Sequence, residues 1–200
     1  MIESLKPFYT RVLTPAAKCC AMLKLHPNTL TAMGIIVSAI AAWFIAKGSW
    51  LLAALFIVAG ACLDGLDGLL ARLTEKKTRF GAIFDSSSDR ITEILWFLGL
   101  LIFYCTRLPI DQWAIYFTFL AMSGAMMVSY VRARCEGVNV PCKEGLLQRP
   151  ERILILIACL LAGRKVMAWG LLALACAAFA TVVQRLIIAY KACATISKTP

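Results

Sequence analysis

Charged residues are scarce in this sequence. Of its 200 residues, 16% are Asp, Glu, Lys or Arg, whereas a soluble domain carries roughly a quarter. Hydrophobic residues make up 61% and the mean hydropathy is +0.79, so the chain has more apolar surface than a soluble core needs. A membrane-spanning helix needs about 20 mostly apolar residues, and several such stretches are present. The composition therefore predicts an all-α integral membrane protein.

Acidic residues are the scarcer of the charged types. There are 11 Asp and Glu against 21 Lys and Arg, which gives a formal net charge of +10. In a soluble protein such an excess would indicate nucleic acid as the partner. Here the basic residues lie in short loops between apolar stretches, where they set membrane orientation and attract anionic headgroups or ligands. We therefore expect membrane lipid, and not nucleic acid, as a partner.

Paired-cysteine motifs and a cleavable signal peptide are also missing. The nine cysteines are an odd number, most lie in apolar runs, and the chain has no C-x-x-C motif, so we interpret them as small residues of membrane helices. Zinc binding at Cys135 and Cys142 is a weaker alternative, because no partner pair lies near them. The first residues lack the apolar core and cleavage site of a signal peptide. The first spanning helix is therefore expected to act as an uncleaved signal.

Six apolar segments joined by short loops predict six transmembrane helices. The segments are approximately 29–46, 50–73, 81–104, 112–133, 150–163 and 167–190. Residues 1–25 place basic residues between apolar ones, which is typical of an amphipathic helix in the membrane interface. Six helices leave no room for a second folded domain, so we predict a single membrane domain over residues 1–200.

The basic residues are distributed unequally between the two ends of these helices. With the N-terminus inside, the basic residues on the outer side are Lys47, Arg107, Arg164 and Lys165, and all other lysines and arginines lie inside. The positive-inside rule assigns the basic side to the cytoplasm. The sequence thus predicts a multi-pass protein of the cytoplasmic membrane with both termini in the cytoplasm.

Four aspartates occur at the cytoplasmic end of the second and third predicted helices. Asp64 and Asp67 are spaced i, i+3 and share a helix face with Ala71, while Asp85 and Asp89 are one turn apart on the next helix. The loop between the helices is short, so the two faces can meet. Ionisable residues in spanning segments are costly and are functional candidates by default.

Four clustered carboxylates cannot all ionise without added positive charge. One or two divalent cations would supply it, and carboxylate oxygen suits Mg²⁺, Mn²⁺ or Ca²⁺. The simpler alternative is that the aspartates pair with nearby bases, which are Arg72, Lys76, Arg79 and Arg90. In either case the active face lies on the cytoplasmic side.

The segment Asp64–Arg72, followed after eight residues by Gly81–Asp89, resembles a known signature. It is similar to the pattern D-x-x-D-G-x-x-A-R-x8-G-x3-D-x3-D of the CDP-alcohol phosphatidyltransferase family, and all eight fixed positions are present at the right spacing. The resemblance implies an enzyme of phospholipid biosynthesis. An acceptor alcohol would attack the lipid-side phosphorus of a CDP-linked lipid, usually CDP-diacylglycerol, and CMP would leave.

The resemblance also implies roles for individual residues. Asp64, Asp67 and Asp85 would bind Mg²⁺ or Mn²⁺ as two ions, and Asp89 would lie beside the metals as the general base. The residues that would form the CDP-lipid pocket are Gly68, Ala71, Arg72 and Gly81. A homodimer is expected from the resemblance alone.

Three further segments bear on the acceptor alcohol. Ser129–Glu136, Arg149–Arg152 and Arg185 are similar to the phosphatidylinositol-phosphate synthase branch of the family, which carries S-Y-x-[KR]-A-R-x-E, then E-R-x-x-R and a late arginine. This likeness implies that Arg132, Arg152 and Arg185 bind the phosphate of inositol 1-phosphate. Guanidinium groups bind phosphate bidentately. The simpler interpretation of the loop arginines is positive-inside anchoring.

Other functions stay open from the sequence. Glycerol 3-phosphate would present a similar phosphate to the same arginines, which would make the protein a phosphatidylglycerophosphate synthase. The donor could carry ether-linked tails in place of acyl chains. A cation transporter is a different class, but it favours carboxylates near the membrane centre on several helices, whereas these lie on one hairpin at one face.

Overall fold

The structure is a computed structural model that describes residues 6–142 and 144–196, with side chains from 10–142 and 144–194. This part of the chain is all-helical, as the sequence predicts. The helices are α1 (Lys6–Met22), α2 (Pro27–Lys47), α3 (Trp50–Leu73), α4 (Arg79–Thr106), α5 (Gln112–Gly137), α6 (Arg149–Ala162) and α7 (Arg164–Ile196).

Helix α2 has well-defined ends. It begins at Pro27, whose fixed backbone suits the first helical position, and the His26 side chain accepts a hydrogen bond from Asn28 N at 3.2 Å. It ends at Gly48, which adopts φ 77° and whose N–H bonds to Ile45 O at 2.9 Å. A side chain at Gly48 would also lie 2.9 Å from the Phe103 ring. Glycine is therefore required there, and it permits the short turn into α3.

The helices form two compact units, α1–α4 and α5–α7. In the first unit α2 packs against both α3 and α4, and α1 packs against α3. A Cβ at Gly99 of α4 would lie 2.5 Å from Ala42 O of α2, so the missing side chain lets the two backbones approach. This packing fixes α2 against the two helices that carry the aspartates.

The second unit is organised around α7, which packs against α5 and α6. A Cβ at Gly124 of α5 would lie 2.9 Å from Ala178 Cβ of α7, so α5 and α7 also meet at small residues. The segment between α5 and α6 folds onto this pair and contributes Val140, Cys142 and Leu147 to a buried cluster with Val128 and Val182.

Within the described residues, four helices are long and apolar enough to cross a membrane, and these are Pro27–Lys47, Trp50–Leu73, Gln112–Gly137 and Arg164–Ala194. The other two predicted spans correspond to α4 and α6. Helix α4 has 28 residues but carries several charged residues near its start, and α6 has only 14 residues. Large apolar side chains on the outside, such as Leu51 at 63% and Trp113 at 68% exposed, fit contact with lipid. The protein is thus a multi-pass membrane protein.

Two predictions about organisation remain predictions. Helix α1 covers most of the predicted amphipathic segment 1–25, but residues 1–5 lie outside the described residues, and its position at the membrane interface is untested. The single-domain organisation over residues 1–200 is likewise untested.

Candidate active site

Three of the four predicted aspartates come together. One carboxylate oxygen from each of Asp64, Asp67 and Asp85 lies within 4.8 Å of the other two. Asp67 is only 4% exposed, and Asp64 is half-buried. The hairpin of α3 and α4 therefore brings the two acidic faces together, as their spacing predicts.

Asp89 lies one turn further along α4 and outside this group of three. Its Oδ2 is 3.6 Å from Arg90 Nη1, and its side chain is 19% exposed. The predicted pairing with local bases is thus seen at Asp89 and Arg90. Arg90 also donates from Nη1 to the backbone oxygen of Ser86, so the guanidinium is held along α4.

The start of α4 lies close to the start of α2. Gly81 N donates to Thr78 Oγ1 at 2.9 Å, a side-chain cap that satisfies one of the first N–H groups of the helix. A Cβ at Gly81 would lie 2.9 Å from Thr78 Oγ1 and 3.4 Å from Asn28 Oδ1. The missing side chain thus lets the first turn of α2 approach α4 beside the aspartates.

A cleft of about 250 Å³ opens beside the carboxylates. It contains all four residues that the sequence assigns to CDP binding. A Cβ at Gly68 would meet no protein atom within 4 Å, so this face of α3 leaves room for a ligand. The lining residues are Pro27, Asn28, Thr31, Asp67, Gly68, Ala71, Arg72, Lys76, Lys77, Thr78, Gly81, Ala82 and Asp85.

The three predicted acceptor arginines all belong to the α5–α7 unit. Arg152 and Arg185 are 3% and 2% exposed. Arg132 is more accessible, with its side chain 43% exposed and its Nε 2.8 Å from Glu136 Oε1. The structure therefore places the three arginines that the sequence assigned to one phosphate in the same unit, and two of them are buried.

Arg185 also holds the segment between α5 and α6. Its Nη1 donates to Val128 O at 2.6 Å and its Nε to Glu144 O at 3.0 Å. Leu147 N donates to Thr181 Oγ1 at 3.1 Å, and Leu146 N donates to Gln184 Oε1 at 3.0 Å. The polar residues in the second half of α7 thus satisfy the backbone of this segment.

Most of the chain matches a known protein family. Residues 24–184 match the family model described as CDP-alcohol phosphatidyltransferase. The chain belongs to the CDP-alcohol phosphatidyltransferase family. The match covers the carboxylate hairpin, the cleft and Arg132 and Arg152, and it makes the protein an enzyme of phospholipid synthesis.

Individual relatives of this phosphatidyltransferase come from archaea and bacteria. The archaetidylinositol phosphate synthase of Methanothermobacter thermautotrophicus is 31% identical over 96% of this chain and 95% of its own length. The phosphatidylinositol phosphate synthase of Corynebacterium glutamicum is 33% identical over 90% of this chain and 84% of its own.

Solved structures agree with the fold of this phosphatidyltransferase. The phosphatidylinositol phosphate synthase of Mycobacterium tuberculosis, with CDP-DAG bound, has a TM-score of 0.83 and 28% identity, covering 90% of this chain and 94% of its own. The same protein in complex with manganese and citrate also gives a TM-score of 0.83, covering 89% and 88%.

The cluster of three carboxylates in this phosphatidyltransferase fits a divalent cation. The ligand atoms are all oxygens, and they come from α3 and α4, which suits Mg²⁺ or Mn²⁺ and not a thiolate-seeking metal. Oxygens bound to one Mg²⁺ at about 2.1 Å can be at most about 4.2 Å apart. The three carboxylate oxygens lie within 4.8 Å of one another, which is close to the separation that binding to one ion requires.

Sequence reasoning missed part of the cleft. Thr31, Lys76, Lys77 and Thr78 line it, and Thr31 Oγ1 donates a hydrogen bond to Asp67 Oδ2. From the sequence, Lys76 is expected only as an ion-pair partner of the aspartates, and Lys77 only as one of the basic residues on the inner side. Thr31 lies on a different helix, and no local spacing connects it to Asp67.

Proposed function

We propose that this enzyme transfers the phosphatidyl group of CDP-diacylglycerol to inositol 1-phosphate, forming phosphatidylinositol phosphate and CMP. The observation that carries the proposal is the three-carboxylate group opening into a cleft lined by Gly68, Ala71, Arg72 and Gly81. A cleft that combines carboxylates for metal with space and bases for a pyrophosphate suits phosphoryl transfer. The relatives support the acceptor, because the names of the archaeal and bacterial proteins share inositol phosphate and differ in the lipid.

The bonds that change are those of one phosphorus atom. The acceptor hydroxyl oxygen bonds to the lipid-side phosphorus, the bond from that phosphorus to the bridging oxygen breaks, and CMP leaves with the bond electrons. The hydroxyl proton passes to the Asp89 carboxylate, which acts as general base. Asp89 is only partly exposed, and its Oδ2 lies 3.6 Å from Arg90 Nη1.

Asp64, Asp67 and Asp85, with Asp89 beside them, would hold Mg²⁺ or Mn²⁺, and we propose two ions. A bound divalent cation would neutralise the pyrophosphate and the charge that develops on the leaving group. The chain itself positions the donor: Arg72 contributes a positive charge to the cleft, and Gly68 and Gly81 let the nucleotide approach the helix backbones.

The phosphate of the acceptor is assigned to Arg132, Arg152 and Arg185. The hydrogen bonds of Arg185 to Val128 and Glu144 use Nη1 and Nε, so we assign its phosphate contact to Nη2. Arg152 and Arg185 are buried and Arg132 is more accessible, and an anion bound among three guanidinium groups would lower their mutual charge repulsion. A phosphate dianion supplies that charge and matches the guanidinium geometry.

We propose that all six sequence-predicted spans cross the cytoplasmic membrane as one domain, with the termini and the cleft on the cytoplasmic side. Four helices meet the length and hydropathy needed, and α4 adds apolar outer residues such as Leu98 and Ile102, each 45% exposed. The positive-inside rule supports the orientation. In this arrangement α1 lies in the interface, and the enzyme forms a homodimer.

The test is CMP release by the purified protein in lipid vesicles with CDP-diacylglycerol and Mg²⁺. Parallel reactions contain inositol 1-phosphate, inositol or glycerol 3-phosphate, and we expect release with inositol 1-phosphate alone. Asp89→Asn should abolish it. The matched control is Asp111→Asn, because Asp111 caps α5 through a 3.0 Å bond from Ala114 N and asparagine caps equally well.

Each other outcome has a defined meaning. Release with glycerol 3-phosphate but not inositol 1-phosphate would keep the cleft chemistry and refute the acceptor. Absence of release with every acceptor, in vesicles where the protein is folded, would refute the transfer itself.

A further inference from the structure

Thr31 has an unusual hydrogen-bond partner. Other threonines within helices or just after a helix end donate to the backbone oxygen of the preceding turn, and these are Thr14, Thr74, Thr106, Thr118 and Thr181. Thr31 has such an oxygen available at Pro27, at 3.3 Å, but it also donates a hydrogen bond to Asp67 Oδ2, 36 residues away. This bond links α2 to the carboxylate group.

The bond is well placed to be strong. Thr31 is 7% and Asp67 4% exposed, so little water competes for either group, and hydrogen bonds strengthen in such surroundings. A carboxylate that holds a divalent cation is ionised, and an ionised carboxylate is a better acceptor than a backbone carbonyl. The single hydroxyl proton of Thr31 is therefore better used on Asp67 than on Pro27.

The bond constrains the direction of the Asp67 carboxylate. A carboxylate is planar, so holding Oδ2 against Thr31 limits rotation of the group and fixes where Oδ1 can lie. Asp67 is the most deeply buried of the three clustered aspartates, and α2 is packed on both α3 and α4. The donor thus sits on a helix that is itself held in place.

We propose that Thr31 is a positioning residue, which orients Asp67 to bind a divalent cation together with Asp64 and Asp85. The inference rests on the metal site of the proposed function and adds to it a residue from a third helix. Hydrogen-bond partners of metal ligands are known to affect affinity, and removing one typically lowers metal affinity about 10- to 100-fold.

The experiment measures Mn²⁺ binding directly, by the loss of the free-ion electron paramagnetic resonance signal during titration of the purified protein in nanodiscs. Thr31→Val keeps the shape and removes the hydroxyl, and we expect its Kd for Mn²⁺ to rise about 10- to 100-fold. Thr31→Ser keeps the hydroxyl and should bind like the wild type. Thr31→Ala is measured in parallel, so that poor folding of one variant does not decide the outcome.

Two comparisons separate positioning from packing. Thr118→Val also removes a buried threonine hydroxyl, since Thr118 is 0% exposed and donates to Ala114 O at 2.6 Å, and it should leave Mn²⁺ affinity unchanged. In an Asp67→Asn background, Thr31→Val should have no further effect, because the ligand that it orients is gone.

Wild-type affinity in folded Thr31→Val and Thr31→Ala would overturn the proposal, as would equal losses in Thr31→Ser and Thr31→Val. Absence of Mn²⁺ binding by the wild-type protein would overturn it too. The titration contains no nucleotide or acceptor, so a failure of CMP release would refute the proposed reaction and leave this result standing.

Discussion

Gly68 offers a way to block the cleft without disturbing the fold. It lies in the interior of α3, and a Cβ built there meets no protein atom within 4 Å. It also lines the cleft next to Asp67 and Ala71. A methyl group at this position would therefore occupy space that the protein leaves open and that we assign to the CDP-lipid.

The two effects of Gly68→Ala have opposite signs. Alanine is favoured over glycine in a helix interior by about 0.8–1.0 kcal/mol, so the folded protein should be slightly more stable. In the complex, the added methyl group overfills the contact, and overpacking of this kind costs about 1–3 kcal/mol. Because about 1.4 kcal/mol is a factor of ten in rate, we expect kcat/KM for CDP-diacylglycerol to fall about 5- to 150-fold.

The assay combines steady-state CMP release at varied CDP-diacylglycerol with thermal unfolding of the same preparation. Gly34→Ala is the matched control, since Gly34 is in the interior of α2, also has open space at its Cβ position, and is not among the residues that line the cleft. Equal kcat/KM values for Gly68→Ala and Gly34→Ala would contradict this role of Gly68 in binding the CDP-lipid. A loss of activity in Gly68→Ala that is only proportional to a loss of thermal stability would contradict it as well.

Two further predictions concern the α5–α7 unit. Arg185→Met removes the donor to the backbone oxygens of Val128 and Glu144, and each acceptor left unsatisfied costs about 1–3 kcal/mol of stability. Limited proteolysis should therefore cleave the segment 138–148 faster than in the wild type. An unchanged cleavage rate would contradict the anchoring role. Burial raises the pKa of the Cys142 thiol, with its hydrogen bond to Cys135 adding to the effect, so its thiolate should form only above the ordinary thiol pKa. Alkylation by iodoacetamide, followed by mass spectrometry, should be slow at pH 8 and rise at higher pH, and rapid alkylation at pH 7 would argue against this burial.

The part of the site that sequence could predict is the part governed by helical periodicity. Asp64 and Asp67 are one turn apart, Asp85 and Asp89 are one turn apart, and a short loop makes their helices neighbours. These facts predict that the two acidic faces meet, and three of the four carboxylates do. Asp89 lies outside this group and pairs with Arg90, and periodicity does not specify that partner.

Contacts that depend on packing between distant segments could not be predicted in the same way. Thr31 meets Asp67 only because α2 packs across α3, and the two residues are 36 positions apart. The sequence predicts six spans, whereas four of the described helices have the length and hydropathy of a span. Charged residues at the start of α4 and the 14-residue length of α6 weaken the hydropathy signal of both helices.

The arginines show that a sequence can identify a functional residue without separating its role in folding from its role in binding. An arginine in an apolar run must have a partner, but the partners of Arg185 include backbone oxygens, which have no sequence signature. Substituting Arg185 therefore changes folding and binding together. Arg132 avoids this difficulty, because its ion pair with Glu136 is exposed at 43% and 53% and such pairs contribute only about 0–1 kcal/mol.

Arg132→Gln consequently tests phosphate binding with little effect on the fold. Loss of a hydrogen bond to a charged group costs about 1.5–3 kcal/mol, so the KM for inositol 1-phosphate should rise about 10- to 150-fold while the KM for CDP-diacylglycerol stays unchanged. Glu136→Gln breaks the same ion pair but keeps the guanidinium, and its KM should equal or fall below the wild-type value. Equal increases in both variants would mean that the ion pair, and not the charge of Arg132, supports acceptor binding.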